Sequence, residues 1–194
     1  MKRVILITGT PCVGKTTTAK QLAQKLNADY INLTEYTTTN NLTLGEDKKR
    51  QTTIINEKAT KQKLTQTINN THNPNIIIDG HYAAAVTPKH HVTHVFVLRR
   101  NPIELRKQME KNGYQNNKLW ENLAAEILDT SLTEALQEQN KNKICQIDTT
   151  AKTTEAIVNE ILNTIKTNKE CPLTKIDWLG TLEKQGLTDQ YLKI

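Results

Sequence analysis

Val4-Ile5-Leu6-Ile7-Thr8-Gly9-Thr10-Pro11-Cys12-Val13-Gly14-Lys15-Thr16-Thr17 decides the reading of this chain. Residues 9 to 16 satisfy G-x-x-x-x-G-K-[ST], the pattern of a phosphate-cradling loop. Its glycines let backbone N–H groups turn inward around phosphate oxygens. Lys15 reaches the β- and γ-phosphates, and the Thr16 hydroxyl serves Mg²⁺. Val4 to Ile7 form a short β-branched run, as expected of a buried parallel strand. From Thr17 to Leu26, Ala19, Leu22, Ala23 and Leu26 recur at helical spacing. Strand, glycine loop and helix stand in the order an anion site requires, with the positive end of the helix dipole at the loop. The alternative is an ordinary βα turn that contains Gly and Lys by coincidence.

Cys12 is the unusual residue of the loop. A positive φ there costs a non-glycine residue about 1 kcal/mol or more. A negative φ, or contacts that absorb the strain, are the alternatives. A thiol next to Lys15 and a helix start also raises the idea of a redox-sensitive position.

The 194 residues suffice for one α/β domain. Aromatic residues are only 4%, which argues against a base-stacking platform as the main activity. The formal charge of +6 suits polyanionic partners, nucleotide phosphates or RNA, or a mildly basic surface. Cys12, Cys145 and Cys171 are scattered, so neither metal spacing nor a disulfide framework is expected, and a reducing cytoplasm is the default. Met1-Lys2-Arg3 leads straight into the first strand, so no signal peptide is expected, and no apolar run has membrane-spanning length.

Strand-like runs recur at Val4–Ile7, Ile76–Ile78, Val95–Leu98 and Ile144–Ile147, with a weaker one at Tyr30–Leu33. Helical patterns separate them, which predicts a parallel sheet covered on both faces. Residues 34 to 62 are rich in Thr and Asn. Low complexity and an inserted helical substrate-binding segment are both compatible with them. Residues 101 to 140 read as helical, broken at Asn112-Gly113. Ala156 to Ile165 predict a further helix, followed after Lys166 by a tail with Pro172 and the exposed-looking Ile176-Asp177-Trp178-Leu179.

Two further clusters carry chemistry. Ile76-Ile77-Ile78-Asp79-Gly80-His81 is an apolar strand ending in a carboxylate, where a phosphate-loop protein orients Mg²⁺ waters. A turn-capping role is the alternative for Asp79. His81 could polarise water or the transferred group, or serve as a structural hydrogen-bonder. Arg99 and Arg100 follow the strand His94 to Leu98, and Arg106 lies on the next helix. Arginines there are candidate clamps for transition-state charge, or a solvated basic helix start.

Taken together, ILITGTPCVGKTTTAKQLA, Tyr30-Ile31-Asn32, IIIDGH, VFVLRRNPIELRKQMEKNGY and LWENLAAEIL resemble the adenylate kinase isoenzyme 6 family over roughly residues 3 to 165. Gly-Thr-Pro and the Asp79-x-His81 pair are the strongest marks, and the Ile176-Asp177-Trp178 tail resembles archaeal-type members. The resemblance implies a P-loop NTPase fold of the nucleoside monophosphate kinase type, with a five-stranded parallel sheet. It implies a kinase domain over 1–166, a monophosphate-binding segment over 32–55, a lid over 111–121 and a tail over 167–194. It implies ATP contacts at Gly9, Cys12, Gly14, Lys15, Thr16, Thr17 and Asn112. Catalytic roles fall to Lys15, Asp79, His81 and Arg99, and Mg²⁺ to Thr16 and Asp79, largely through water. AMP is the implied acceptor, and a small-subunit ribosomal protein or pre-ribosomal RNA the implied partner. Two residues depart from the family pattern: Cys12 stands where Gly is usual, and Asn112 where Arg usually precedes the Gly-Tyr pair. The expected reaction is MgATP + AMP ⇌ 2 ADP, with ATP hydrolysis beside it. A ribosome-assembly ATPase switch, or a kinase of another small molecule, shares the same site.

Overall fold

The computed structural model describes residues 2–47, 52–167 and 176–193. In chain order the elements are β1 (Arg3–Gly9), α1 (Lys15–Leu26), β2 (Asp29–Asn32), α2 (Leu33–Thr39), β3 (Thr43–Asp47), β4 (Thr52–Ile55), α3 (Glu57–Asn70) and β5 (Asn75–Asp79). They continue with α4 (Ala83–Val86), β6 (Val92–Arg99), α5 (Pro102–Lys111), α6 (Asn116–Ile127), α7 (Thr130–Glu138), β7 (Ile144–Asp148), α8 (Thr154–Thr167), α9 (Trp178–Lys184) and α10 (Thr188–Tyr191).

Five strands form one parallel sheet in the order β2-β5-β1-β6-β7, so all five strand-like runs of the sequence are in it. Their unbroken apolar character follows from burial on both faces. Ile5, Ile7, Ile77, Phe96 and Leu98 point to one side, against α1, α5, α6 and α8. Val4, Leu6, Ile76, Ile78, Val95 and Val97 point to the other, against α3, α4 and α7. Each such side chain, fully buried, contributes about 1.5–3 kcal/mol. The chain passes from β1 leftward to β2 and later returns across β1 to β6. The carboxyl end of β1 is therefore a switch point, where open α/β sheets bind ligands.

Four features differ from the sequence expectations. The Thr/Asn-rich segment after α2 contains an antiparallel hairpin, β3 with β4, as well as helix. Its exposed strands lack the apolar alternation that would have revealed it. The helical stretch breaks a second time at Asp129, which adopts φ 58° between α6 and α7. Trp178 is buried: α9 and α10 pack Leu182 and Tyr191 against Ile127 of α6. An Asp-Trp dipeptide reads as exposed until the surface it caps is known. Cys145 on β7 is disulfide-bonded, against the expectation of no disulfide framework, because scattered spacing does not show which segments a fold brings together. Cys171 and Pro172 lie outside the described residues.

Candidate active site

β1 ends at Gly9, where a Cβ would collide with the carbonyl oxygen of Leu98 on the neighbouring strand. Only glycine lets β1 and β6 run this close at the loop's entry. The loop then turns through Cys12 at φ 69° and Gly14 at φ 100° into α1. Cys12 therefore holds the left-handed conformation, and its side chain packs against the core cluster beneath the loop. Asn112 Nδ2 lies 3.6 Å from Cys12 Sγ, so the two positions where the resemblance implies Gly and Arg touch each other.

Lys15 folds back over its loop, and its Nζ donates to the carbonyl oxygen of Thr10 at 2.9 Å. Burial lowers its pKa to about 8, against the opposing pull of Asp79, Cys12 and Glu126. A phosphate group supplies the charge this ammonium lacks. Thr16 and Thr17 are exposed at the first turn of α1, which has no acidic side chain to repel an anion.

Asp79 is buried at the end of β5 and held on three sides. Thr16 Oγ1 donates to its Oδ2 at 2.7 Å, and Tyr30 Oη and Asn32 Nδ2 each donate to its Oδ1 at 2.9 Å. The β2–β5 register places Asn32 directly beside Asp79. Burial, aided by Asp79, pushes the Tyr30 hydroxyl up to about 12, so Tyr30 is a fixed donor. Tyr30-Ile31-Asn32 entered the sequence reading as a mark of the resemblance, with residue 32 opening the monophosphate-binding segment, but not as partners of Asp79; an Asn two residues after a Tyr has no such signature until the strand pairing is known.

Asp79 and Thr16 offer hard oxygen donors and no nitrogen or sulfur, the chemistry Mg²⁺ prefers. Their separation of one hydrogen bond suits an ion that keeps most of its waters and takes phosphate oxygens. Among the described residues no group of three or more His, Cys, Asp and Glu could hold a metal.

His81 stands on the cleft wall, reached by water, with its ring edge-on to Tyr82 at 4.6 Å. Desolvation against the cleft wall, the larger cause, and the Lys15 ammonium together lower its pKa to about 4. It is a neutral imidazole at physiological pH. The cleft itself has a volume of about 470 Å³. Its lining comes from the phosphate loop and the start of α1 (Pro11, Cys12, Lys15 and Thr16) and from α2 and β4 (Thr34, Thr37, Thr38 and Ile55). Tyr114 of the α5–α6 turn and Lys118 and Asn122 of α6 line it as well.

Arg99 is not in this cleft, which corrects its expected catalytic role. It is among the most deeply buried side chains of the protein. Its Nε donates to Glu126 Oε1 at 2.8 Å, Nη1 to Gln146 Oε1 at 3.0 Å, and Nη2 to Asp129 Oδ1 at 2.5 Å and to the Glu126 carbonyl at 2.8 Å. Burial opposes its charge, but Glu126 and Asp129 more than compensate and raise its pKa. Arg100 pairs with Glu104, and Arg106 pairs with Glu110 and lies over Trp120. The cluster is structural because the helices after β6 supply a carboxylate for each arginine. The cationic groups lining the cleft, among the described residues, are Lys15 and Lys118.

A sequence-family model described as an AAA domain matches residues 5–129. A protein of Saccharolobus islandicus named "Putative adenylate kinase" is 36% identical over 191 residues, covering 98% of this chain and 95% of its own length. Among solved structures, shikimate kinase from Acinetobacter baumannii superposes with a TM-score of 0.60 at 16% identity, covering 87% of this chain and 96% of its own. Thymidylate kinase from Candida albicans does so with a TM-score of 0.55 at 17% identity, covering 87% and 93%. Both likenesses are of fold. No helix among the described residues is long and apolar enough to cross a membrane.

Proposed function

We propose that this chain, which belongs to the P-loop nucleotide kinase family of its archaeal relatives, transfers the γ-phosphoryl group of ATP to AMP. The observation that carries the reading is the Lys15–Thr16–Asp79 constellation lining one cleft. The name of the 36%-identical relative supports the adenine nucleotide as substrate.

In the reaction an oxygen of the AMP phosphate forms a bond to the γ-phosphorus. The bond from that phosphorus to the β–γ bridging oxygen breaks, and two molecules of ADP leave. The nucleophile is an ionised phosphate oxygen, so no side chain has to remove a proton. Catalysis is then positioning and charge stabilisation. Loop amides and the α1 N-terminus receive the donor phosphates. Lys15 leaves the Thr10 carbonyl for the β- and γ-oxygens. Thr16 and Asp79 would hold Mg²⁺, largely through water, and Tyr30 and Asn32 keep the carboxylate aimed. Bound there, Mg²⁺ neutralises phosphate charge as it develops. Neutral His81 donates a hydrogen bond toward the transferring group. Within the 32–55 segment, Asn32, Thr34, Thr37, Thr38, Thr53 and Ile55 line the acceptor side of the cleft, and residues 111–121 serve as the lid, whose closure excludes water.

A coupled assay for ADP tests the reading. The kinase requires ADP formation that rises many-fold when AMP is added to ATP; a rate indifferent to AMP contradicts it. The formal charge of +6 supports a second reading, a nucleotide switch in small-ribosomal-subunit maturation. That reading requires AMP-independent hydrolysis stimulated by small-subunit protein or RNA.

A further inference from the structure

We propose that the C-terminal helices α9 and α10 are a strut for the phosphate loop, and that Trp178 is a positioning residue acting on it through Glu126. The inference rests on the reading of the loop as the ATP site. Glu126 on α6 is buried, and its carboxylate accepts four hydrogen bonds from three parts of the chain. Thr10 Oγ1 of the loop donates to Oε2 at 2.6 Å. Arg99 Nε and the Arg100 amide donate to Oε1 at 2.8 and 3.1 Å. The indole N–H of Trp178, the first residue of α9, donates to the same Oε1 at 3.0 Å. The other face of Thr10 is used as well: its carbonyl holds the Lys15 ammonium.

One buried carboxylate therefore connects the tail to the residue that positions Lys15. The loop's far side is tied to the same place, because Thr149 Oγ1 is shared between the carbonyls of Val13 and Arg99. Docking of the tail does not depend on the indole alone. Leu182 and Tyr191 pack on Ile127, the residue after Glu126, and Arg106 lies over Tyr191. Asp177 caps α9 by accepting from the Gly180 amide at 2.8 Å, which fixes the entry angle of Trp178.

When the tail is docked, all of the Glu126 oxygens' bonds are made and Thr10 is fixed. When it lifts, Oε1 loses a donor in a buried site, the carboxylate gains freedom to turn, and Thr10 loosens with it. Tail docking and nucleotide affinity are then linked, and the linkage is reciprocal: nucleotide on the loop strengthens docking.

Trp178→Phe keeps the ring and removes the donor. In a titration of ATP by calorimetry it weakens binding about fivefold, the lower end of ordinary coupling between sites. In steady state KM for ATP rises while kcat stays within about twofold, a split that general loss of stability does not produce. Unchanged ATP affinity in folded Trp178→Phe overturns the proposal. A second measurement leaves Trp178 in place. The chain has two tryptophans, so Trp120→Phe makes Trp178 the sole indole reporter. Saturating ATP then shifts its emission, and the shift is lost when Thr10→Val is added. An emission indifferent to saturating ATP overturns the coupling while leaving the kinase reading intact. Failure of the unsubstituted protein to bind ATP overturns both.

Discussion

The side-chain amide of Asn112 and the sulfur of Cys12 stand 3.6 Å apart across the lip of the phosphate loop. They occupy the positions where the resemblance implies Gly and Arg. A glycine at position 12 would leave Asn112 without this neighbour, and an arginine at position 112 would have to pass the thiol to reach the loop. The Cys12 backbone is held in a conformation that a residue with a Cβ intrinsically disfavours, at φ 69°.

That strain is measurable. Cys12→Ala keeps the Cβ and the strain, whereas Cys12→Gly releases it. The glycine variant is expected to be more stable than the alanine variant by about 1 kcal/mol in denaturant unfolding, the reverse of their order in a helix or strand. Alanine more stable than glycine would contradict the left-handed loop.

Lys15 makes nucleotide binding proton-linked. Its pKa in the ligand-free protein is about 8, against 10.5 for an ordinary lysine. The folded pKa is lowered, so the unfolded chain binds more protons between these values. The ligand-free fold gains stability from this group as pH rises through that window. ATP phosphates reverse the shift. Binding at pH 8.5 therefore takes up protons, seen as a dependence of the calorimetric enthalpy on buffer ionisation, and Lys15→Met abolishes the uptake. The same substitution slows turnover by about 10²-fold or more, as loss of a preorganised charge at a reacting group does.

His81 sets an acid limit. Its folded pKa of about 4 lies below the ordinary 6.5, so stability is present above pH 6.5 and is lost as pH falls toward 4. Water reaches the ring, which reduces the size of the effect but not its sign. His91 and His94 are lowered too, by burial and neighbouring positive charge, and act in the same direction. His81→Asn is therefore expected to flatten, and not abolish, the fall in melting temperature between pH 6.5 and 4.5. A steeper fall would contradict the neutral imidazole.

Arg99 separates structure from catalysis. An arginine that clamps the transferring group is worth about 10³–10⁵ in rate. Arg99 instead holds Glu126, so Arg99→Lys is expected to keep kcat within about tenfold while melting temperature drops sharply. Arg99→Met, which leaves Glu126 buried without its main partner, costs about 3–5 kcal/mol of stability.

The sheet was legible because each strand is buried on both faces and reads as an uninterrupted apolar run; Val4–Ile7 and Ile76–Ile78 could be little else. The loop was legible because phosphate binding constrains residue type at fixed spacing. What escaped was set by pairing across the chain. The Arg99 role depends on Glu126, 27 residues on, and a carboxylate within an apolar helical pattern gives no sign of facing inward. Tyr30 and Asn32 serve Asp79 only through the β2–β5 register. Trp178 needed the surface of α6 before its burial made sense.

The reaction is tested most directly by following the γ-phosphoryl group itself. ATP labelled at the γ-position, incubated with the protein, Mg²⁺ and AMP, is expected to deliver its label to the β-position of ADP, and Lys15→Met to deliver almost none. Label recovered as inorganic phosphate at the same rate with and without AMP would show hydrolysis in place of transfer, and would contradict the adenylate kinase assignment.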